Sequence, residues 1–487
     1  MQRKRLARNR TCPKYGTNIM AFLERNANRG SISTSYDVDN SLKLEQDNTE
    51  YLHKTPGSSG NRRTFTLSAW IKRTEFARLS GGGDYIFQAG DGDYNQSDRT
   101  VLKFNHDDTI YFGGGSAYLI KTNRVFRDAS AWYHIAMIVD TTDGTAGDRL
   151  KLYVNGVRET DLATNTAPDQ NFQFAFMKDD KHVVGYNHTD SSNPMSGYIA
   201  EVVWLDGTAA NITDLGRVDS NGVWVPKDVS GLSVGTNGCY LDFKDSSNLG
   251  NDASGGTDFT LNNIAAIDQA TDTPTNNFCT MNQNARTNGN IRTQEGGTYV
   301  TTDGGSGWCS MLGSMAMSAG KWYWEALVYN NSDALTVYVG IAPHNDPYVP
   351  HHQTGYYLGN VETAGSMGWY LNDGSNKNQN GSWGNPGQGD KIMIAYDADN
   401  YKLYYGINGT WGNSADPANG TGSVTAISSY WMSALKDPLD FVLPAVTVYQ
   451  GKYMKGFNFG GYCAWTIASG NADANGYGNF EYAPPSG

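Results

Sequence analysis

Charged residues are scarce in this 487-residue chain, at 18%, and cysteine is scarcer still, with five in all. Cys12, Cys239, Cys279, Cys309 and Cys463 are widely scattered, without a CxxC pair or a Cys/His spacing suited to zinc. An odd, sparse set of this kind argues against a disulfide framework and suits thiols kept in a reducing cytoplasm. No apolar run reaches the roughly 18 residues of a membrane-spanning helix, and Arg3–Ile19 has no apolar signal-peptide core. Long helical periodicity is nearly absent. So are a Walker loop, a serine-nucleophile elbow and a dinucleotide fingerprint. GGGDYIFQAGDG (81–92) is glycine-rich but lacks the Lys-Ser/Thr ending and following helix that phosphate binding needs, and reads as a loop. A formal net charge of −12 argues against a nucleic-acid-binding body.

Aromatic residues, by contrast, make up 12% of the chain, and Gly reaches 57 residues. Aromatics favour half-buried pleated surfaces, while Gly and Asn supply turns, so the composition points to antiparallel sheets. Alternation of period two supports this. Phe65, Leu67, Ala69 and Ile71 share one face of a strand, with Thr66, Ser68, Trp70 and Lys72 on the other. WYHIAMIVD (132–140) is a nearly continuous apolar strand, and Leu150, Leu152 and Val154 run into an Asn155-Gly156 hairpin turn. Ile199, Val203 and Leu205 are expected on one face of a strand that also carries Glu201. Trp322, Trp324, Ala326 and Val328 alternate with Tyr323, Glu325, Leu327 and Tyr329. Residues 392–407 form the clearest hairpin, followed by a turn at Asn408-Gly409.

The expected fold is therefore all-β, with two consecutive antiparallel β-sandwich (jelly-roll) domains joined by an ordered, loop-rich connector. The divisions are an N-terminal arm (1–32), a first sandwich (33–206), a connector (207–292), a second sandwich (293–465) and a C-terminal tail (466–487). Trp224, Tyr240 and Phe243 mark the connector as packed, since a solvated linker does not carry such side chains. The arm is basic, with Arg3, Lys4, Arg5, Arg8, Arg10 and Lys14 before any acid. Met20 opens the first segment that reads as structured, so residues 1–19 are read as upstream sequence, with a nucleic-acid-touching arm as the alternative.

FTLSAWIK (65–72), WYHIAMIVD (132–140), LKLYVNG (150–156) and GYIAEVVWLDG (197–207) together resemble the laminin-G-like, concanavalin-type jelly roll. GKWYWEALV (320–328), VYVGIA (337–342), GSWGNP (381–386), GDKIMIAYDADNYKLYYGINGTW (389–411), LPAV (443–446) and GFNFG (456–460) resemble a SPRY domain. An Asn/Ser-rich insertion at 412–436 departs from that pattern. DSNGVWVPK (219–227), YLDFKDSSNLGNDASGGTDF (240–259) and DTPTNNFCTMN (272–282) look like phage-encoded, mostly marine proteins that pair these two domains. The resemblance covers about residues 20–487 and implies a tail-fibre or other virion structural protein. Similar chains continue past a Pro-Pro-Gly-like ending, so a trimmed C-terminus is expected.

Four constellations could carry chemistry. Glu45, Asp47 and Glu50 fit the E-x-D-x-x-E pattern of concanavalin-type glucanases, whose retaining carboxyls sit about 5–5.5 Å apart. Their place on the first strand is wrong for a central concave strand, and a solvated edge is the expected reading. Asp91, Asp93, Asn95 and Asp98 in DGDYNQSD offer oxygen ligands for a possible calcium ion, against a plain turn; Asp245 and Asp252 are weaker candidates. Tyr356, Tyr357, Trp369, Tyr370, Trp383 and Trp411 lie in Asn/Gly-rich, loop-like sequence and could form a glycan- or partner-binding platform, against local packing. His351-His352 lacks a third metal ligand and reads as surface loop.

The expected function is a non-catalytic bacteriophage virion surface protein, tail fibre or capsid appendage, for adhesion to host-surface glycans or for assembly. It would reach the virion surface after assembly in the host cytoplasm, with other virion proteins as partners, no membrane insertion and no obligatory cofactor. Avidity favours a homo-oligomer such as a trimer. The alternatives are a capsid decoration or cement protein without glycan binding and, behind it, a glycan-degrading enzyme.

Overall fold

The computed structural model describes residues 36–487 except 77–81, 91–96, 115–116, 190–193, 288–289, 303–306, 329–336, 344–357, 359–366, 372–375, 378–382, 385, 424–440, 450–452, 455 and 487. Among them the architecture is almost entirely antiparallel strand, the one α-helix being a single turn at Ile212–Leu215. No helix there is long and apolar enough to cross a membrane.

Two eight-stranded sheets build the first sandwich. One centres on Thr64–Arg73, paired with Trp132–Asp140 on one side and Gly197–Asp206 on the other. The second contains Asp84–Ala89, Thr100–Phe104 and Thr109–Gly114 as consecutive neighbours. Phe65, Leu67, Ala69 and Ile71 face the core between the sheets, together with Leu150, Leu152 and Val154. Asn155 and Gly156 take positive φ (49° and 76°), as their turn requires. Residues 84–89, read as loop from their flanking glycines, are instead a fully buried strand. Tyr85, Ile86 and Phe87 supply β-forming bulk that the glycines merely bracket.

One face assignment is corrected. Ile199 does face the core, but Val203 and Leu205 pack into a separate cluster on the outer face. The register against Thr64–Arg73 shifts between Ala200 and Val203, and Glu201 there has φ of 51°. An extra residue at this bulge reverses the alternation, so Val202 and Trp204 take the inward positions.

Most of residues 207–292 belong to the first sandwich more closely than a connector would, while Met281–Arg286 already pairs with Trp308–Gly313 of the second. Cys239–Leu241 and Gln269–Ala270 extend the first sheet, and Thr260–Asn262 ends the second. Other parts cover the outer face of the first sheet, where Tyr240, Leu215 and Val229 pack on Ala136, Val203 and Leu205.

The second sandwich has its own core. Its sheets centre on Val442–Tyr449, between Trp308–Gly313 and Val337–Pro343, and on Lys391–Asp397, between Lys321–Leu327 and Lys402–Ile407. Among the described residues, Cys239, Cys279, Cys309 and Cys463 form no disulfide.

Between the two cores lies a third, smaller cluster in which Tyr462 meets Trp70, Trp132 and Tyr198 of the first sandwich. Buried ion pairs reinforce it. The Lys72 ammonium (0% exposed) lies 2.6 Å from Asp272 and donates to Asn277 Oδ1 and the Phe278 carbonyl, while Trp132 Nε1–H donates to the other Asp272 oxygen (2.9 Å). Lys43 binds Glu50 (3.0 Å), Asp268 (2.8 Å) and Glu295 (2.8 Å).

Candidate functional site

Glu45 and Glu50 are not on a solvated edge. They flank a turn between strands Ser41–Leu44 and Tyr51–Lys54, and are 1% and 2% exposed. Ser41–Leu44 is an interior strand, paired on both sides, which is why its neighbours are buried. Glu45 accepts the backbone N–H groups of Asp47 and Glu295, Glu50 is held by Lys43, and Asp47 pairs with Arg292 (2.9 Å). These carboxylates stitch the sandwiches together. Because the three lie around a turn, they do not share the single strand face that the glucanase geometry needs.

Ser68 and His134 are 2.9 Å apart, a distance that could suggest an activated hydroxyl. The Trp224 indole N–H, which can only donate, points at His134 Nδ1 (3.1 Å). The proton of the neutral ring is therefore on Nε2 and is donated to Ser68. Burial holds the imidazole pKa down at about 3. A ring so fixed cannot take the serine proton, and the contact is structural.

The loop of the possible calcium site lies mostly outside the described residues, Asp91, Asp93 and Asn95 included. Asp98 is described, and its carboxylate lies 3.6 Å from the Lys178 ammonium, which competes with any metal for it. Asp245 and Asp252 accept the N–H and hydroxyl of Ser247 and Ser254 in their own turns. No metal-binding cluster occurs among the described residues.

Of the six candidate platform aromatics, Tyr356, Tyr357 and the Tyr370 side chain lie outside the described residues, as do His351 and His352. Trp369 and Trp383 are core residues, 0% and 2% exposed, and both rings pack on Tyr405. Their Gly/Asn-rich neighbourhoods suggested surface loops, but the indoles turn inward between the sheets. Trp411 is partly exposed and meets Tyr323 edge-on at 6.4 Å.

Tyr323 leads to a cleft that the loop-centred reading missed. Trp324, Ala326, Ile394, Tyr396, Leu403 and Tyr405 fill the core, so strand alternation places Tyr323, Ala395 and Tyr404 on the outer face. The register aligns Tyr323 with Ala395, and Ala395 with Tyr404, in one row across three strands. Ala395 and Tyr404 are nearly covered, at 6% and 1% exposed, whereas Tyr323 is half-buried. A cavity of about 240 Å³ borders this row, lined by Tyr323, Trp322, Lys321 and Asp397 and by Tyr477 and Pro484 of the tail, and it extends along Cys279, Met317 and Pro444.

Glu325 holds the tail in place. Its carboxylate accepts the backbone N–H groups of Glu481 (2.9 Å) and Tyr482 (2.8 Å), Asn458 Nδ2–H (3.0 Å) and the Tyr323 hydroxyl (2.9 Å). Phe480 is thereby set edge-on against Tyr323 at 5.1 Å. The sequence signal for the floor was available, since Tyr323 alternates with the core tryptophans. The tail has no periodicity and offered none.

Residues 44–210 match a family model described as the concanavalin A-like lectin/glucanases superfamily. No curated protein matches the chain. Among solved structures, a putative carbohydrate binding protein from Bacteroides ovatus is 18% identical over 47% of this chain and 60% of its own length (TM-score 0.29). The SPRY domain of human HERC1 is 14% identical over 38% of this chain and 99% of that domain (TM-score 0.26). Tailspike protein 2 from Escherichia coli O157:H7 bacteriophage CAB120 is 19% identical over 36% of this chain and 23% of the tailspike (TM-score 0.26). The chain thus spans 60% of the length of the first of these. It is an all-β protein of two antiparallel sandwiches, the first of which matches a concanavalin A-like lectin/glucanase family over residues 44–210.

Proposed function

We propose that this chain is a non-catalytic surface protein of a bacteriophage particle, tail fibre or capsid appendage, which adheres to host-surface glycans. The observation that carries the reading is the aromatic cleft on the rigid outer sheet of the second sandwich. Sugar C–H faces stack on such rings, and a site on paired strands holds its geometry without ligand. The lectin-type match of the first sandwich and the phage-like connector motifs support the same reading. The absence of catalysis is supported by the buried, ion-paired Glu50, the buried Glu45 and the donor role of the His134 ring. The purified chain, applied to an array of bacterial surface polysaccharides, is expected to bind a subset of them without releasing reducing ends. Binding to phage capsids but to no polysaccharide would replace adhesion with the cement role, and turnover would make the protein an enzyme.

A further inference from the structure

We infer that Lys72 and Asn277 join in a self-formed amide cross-link, with Asp272 as the proton carrier, which ties the first sandwich covalently to the segment entering the second. It is a single event within the chain and does not depend on what the surface binds.

Three reacting groups meet away from water. The Lys72 nitrogen lies 2.6 Å from Asp272 Oδ2 and 2.8 Å from Asn277 Oδ1. The side chains of Lys72 and Asp272 are 0% and 1% exposed. A C=O bond of about 1.23 Å keeps the Asn277 carboxamide carbon within about 4 Å of that nitrogen, a small shift from attack distance. Asn277 Nδ2–H donates to the Ser130 carbonyl (2.6 Å), which turns the carboxamide oxygen toward Lys72. Trp132 Nε1–H holds the other Asp272 oxygen (2.9 Å), and the Tyr198 ring centre lies 5.8 Å from the amine. Burial pushes the Asp272 carboxyl above its usual range, although Lys72 pulls it down. Passing a proton from the ammonium to Asp272 removes two charges from a dry site and frees a nucleophilic lone pair.

The atoms balance without a co-reactant. Lys72 Nζ bonds to Asn277 Cγ, and the Cγ–Nδ2 bond breaks. Of the two protons that Nζ gives up, one leaves with Nδ2 as ammonia and one stays on Asp272. Nothing is oxidised or reduced. Asn277 lines the cavity of the second sandwich, which gives the ammonia a way out. The finished bond closes a loop of about 200 residues, so it restricts the unfolded chain strongly.

Intact-mass spectrometry of the full chain, folded and then denatured in urea, tests this. The mass should fall below that of the sequence by about 17 Da, one ammonia. Trypsin should release a branched peptide joining residues 64–73 to 245–286, with Lys72 uncleaved. Asn277→Ala keeps the Lys72–Asp272 ion pair but offers no carboxamide to attack, so both signatures should vanish. Lys72→Arg keeps the positive charge without an amine and should lose them too. A parent chain without the branched peptide, cleaved normally after Lys72, would overturn the inference and leave an ordinary ion pair. A deficit that persists in both variants would overturn it as well, since it would come from an asparagine or glutamine cyclising elsewhere.

Discussion

Lys72→Met is expected to destabilise the chain by about 3–5 kcal/mol, measured as the shift of its urea unfolding transition. Lys72 and Asp272 are 0% and 1% exposed at the side chain, and their contact is 2.6 Å. Methionine fills a similar volume but leaves the Asp272 carboxylate in a dry site, with the Trp132 N–H as its remaining side-chain donor. It also removes two donors that fix Asn277 and Phe278, the segment leading into the second sandwich. The two halves should therefore unfold at more widely separated urea concentrations than in the parent. Arg158→Met is the comparison, because Arg158 and Asp148 form an ion pair with side chains 38% and 39% exposed. Pairs of that kind are worth about 0–1 kcal/mol. If the Lys72 variant shifted no more than the Arg158 variant, the buried pair would not be holding the halves together.

Glu201→Gln is expected to change the pH dependence of stability more than any exposed acid could. Burial at the bulge raises the Glu201 carboxyl to about 7, although the Tyr240 and Tyr36 hydroxyls that donate to it pull the other way. In the unfolded chain it titrates near 4.3. Between those values the folded state holds the proton and the unfolded state does not. This contribution to stability is thus fully present below about pH 4 and is lost as pH rises through 7. At about 1.4 kcal/mol per unit, the loss is on the order of 3 kcal/mol by pH 8. Glutamine has no proton to lose, so the variant should gain on the parent steadily from about pH 5 to pH 7 and level off above it. Taking the difference between the two proteins cancels the other titrating groups. Parallel curves for parent and variant would show that Glu201 is ionised throughout the range.

The same residue shows where alternation in the sequence stops being a guide. Ile199, Val203 and Leu205 fit one face on paper, yet one extra residue at Glu201 turns the last two outward. No local pattern marks that bulge, because the connector that buries the far side comes from residues distant in the chain. Trp369 and Trp383 failed for a related reason: Gly and Asn describe the backbone around an indole, not the side to which it points. Glu45 looked solvated because two of its partners, the Ser196 hydroxyl and the Glu295 N–H, lie far along the chain, and Glu50 because the Lys43 that holds it is itself anchored by Asp268 and Glu295.

Period-two alternation, turn residues and aromatic content were enough to determine an all-β chain, the strand cores at 65–71, 150–154 and 392–407, and the split into two sandwiches. Those features depend on neighbours within a few residues, and pleat geometry links them directly to structure. Tertiary structure decided which outer faces are covered, which carboxylates are locked in ion pairs, and that the tail walls a cavity beside Tyr323. Most of these depend on groups far apart in the chain, such as Trp70 and Tyr462 or Glu325 and Glu481, whose meeting is set by how the sheets stack.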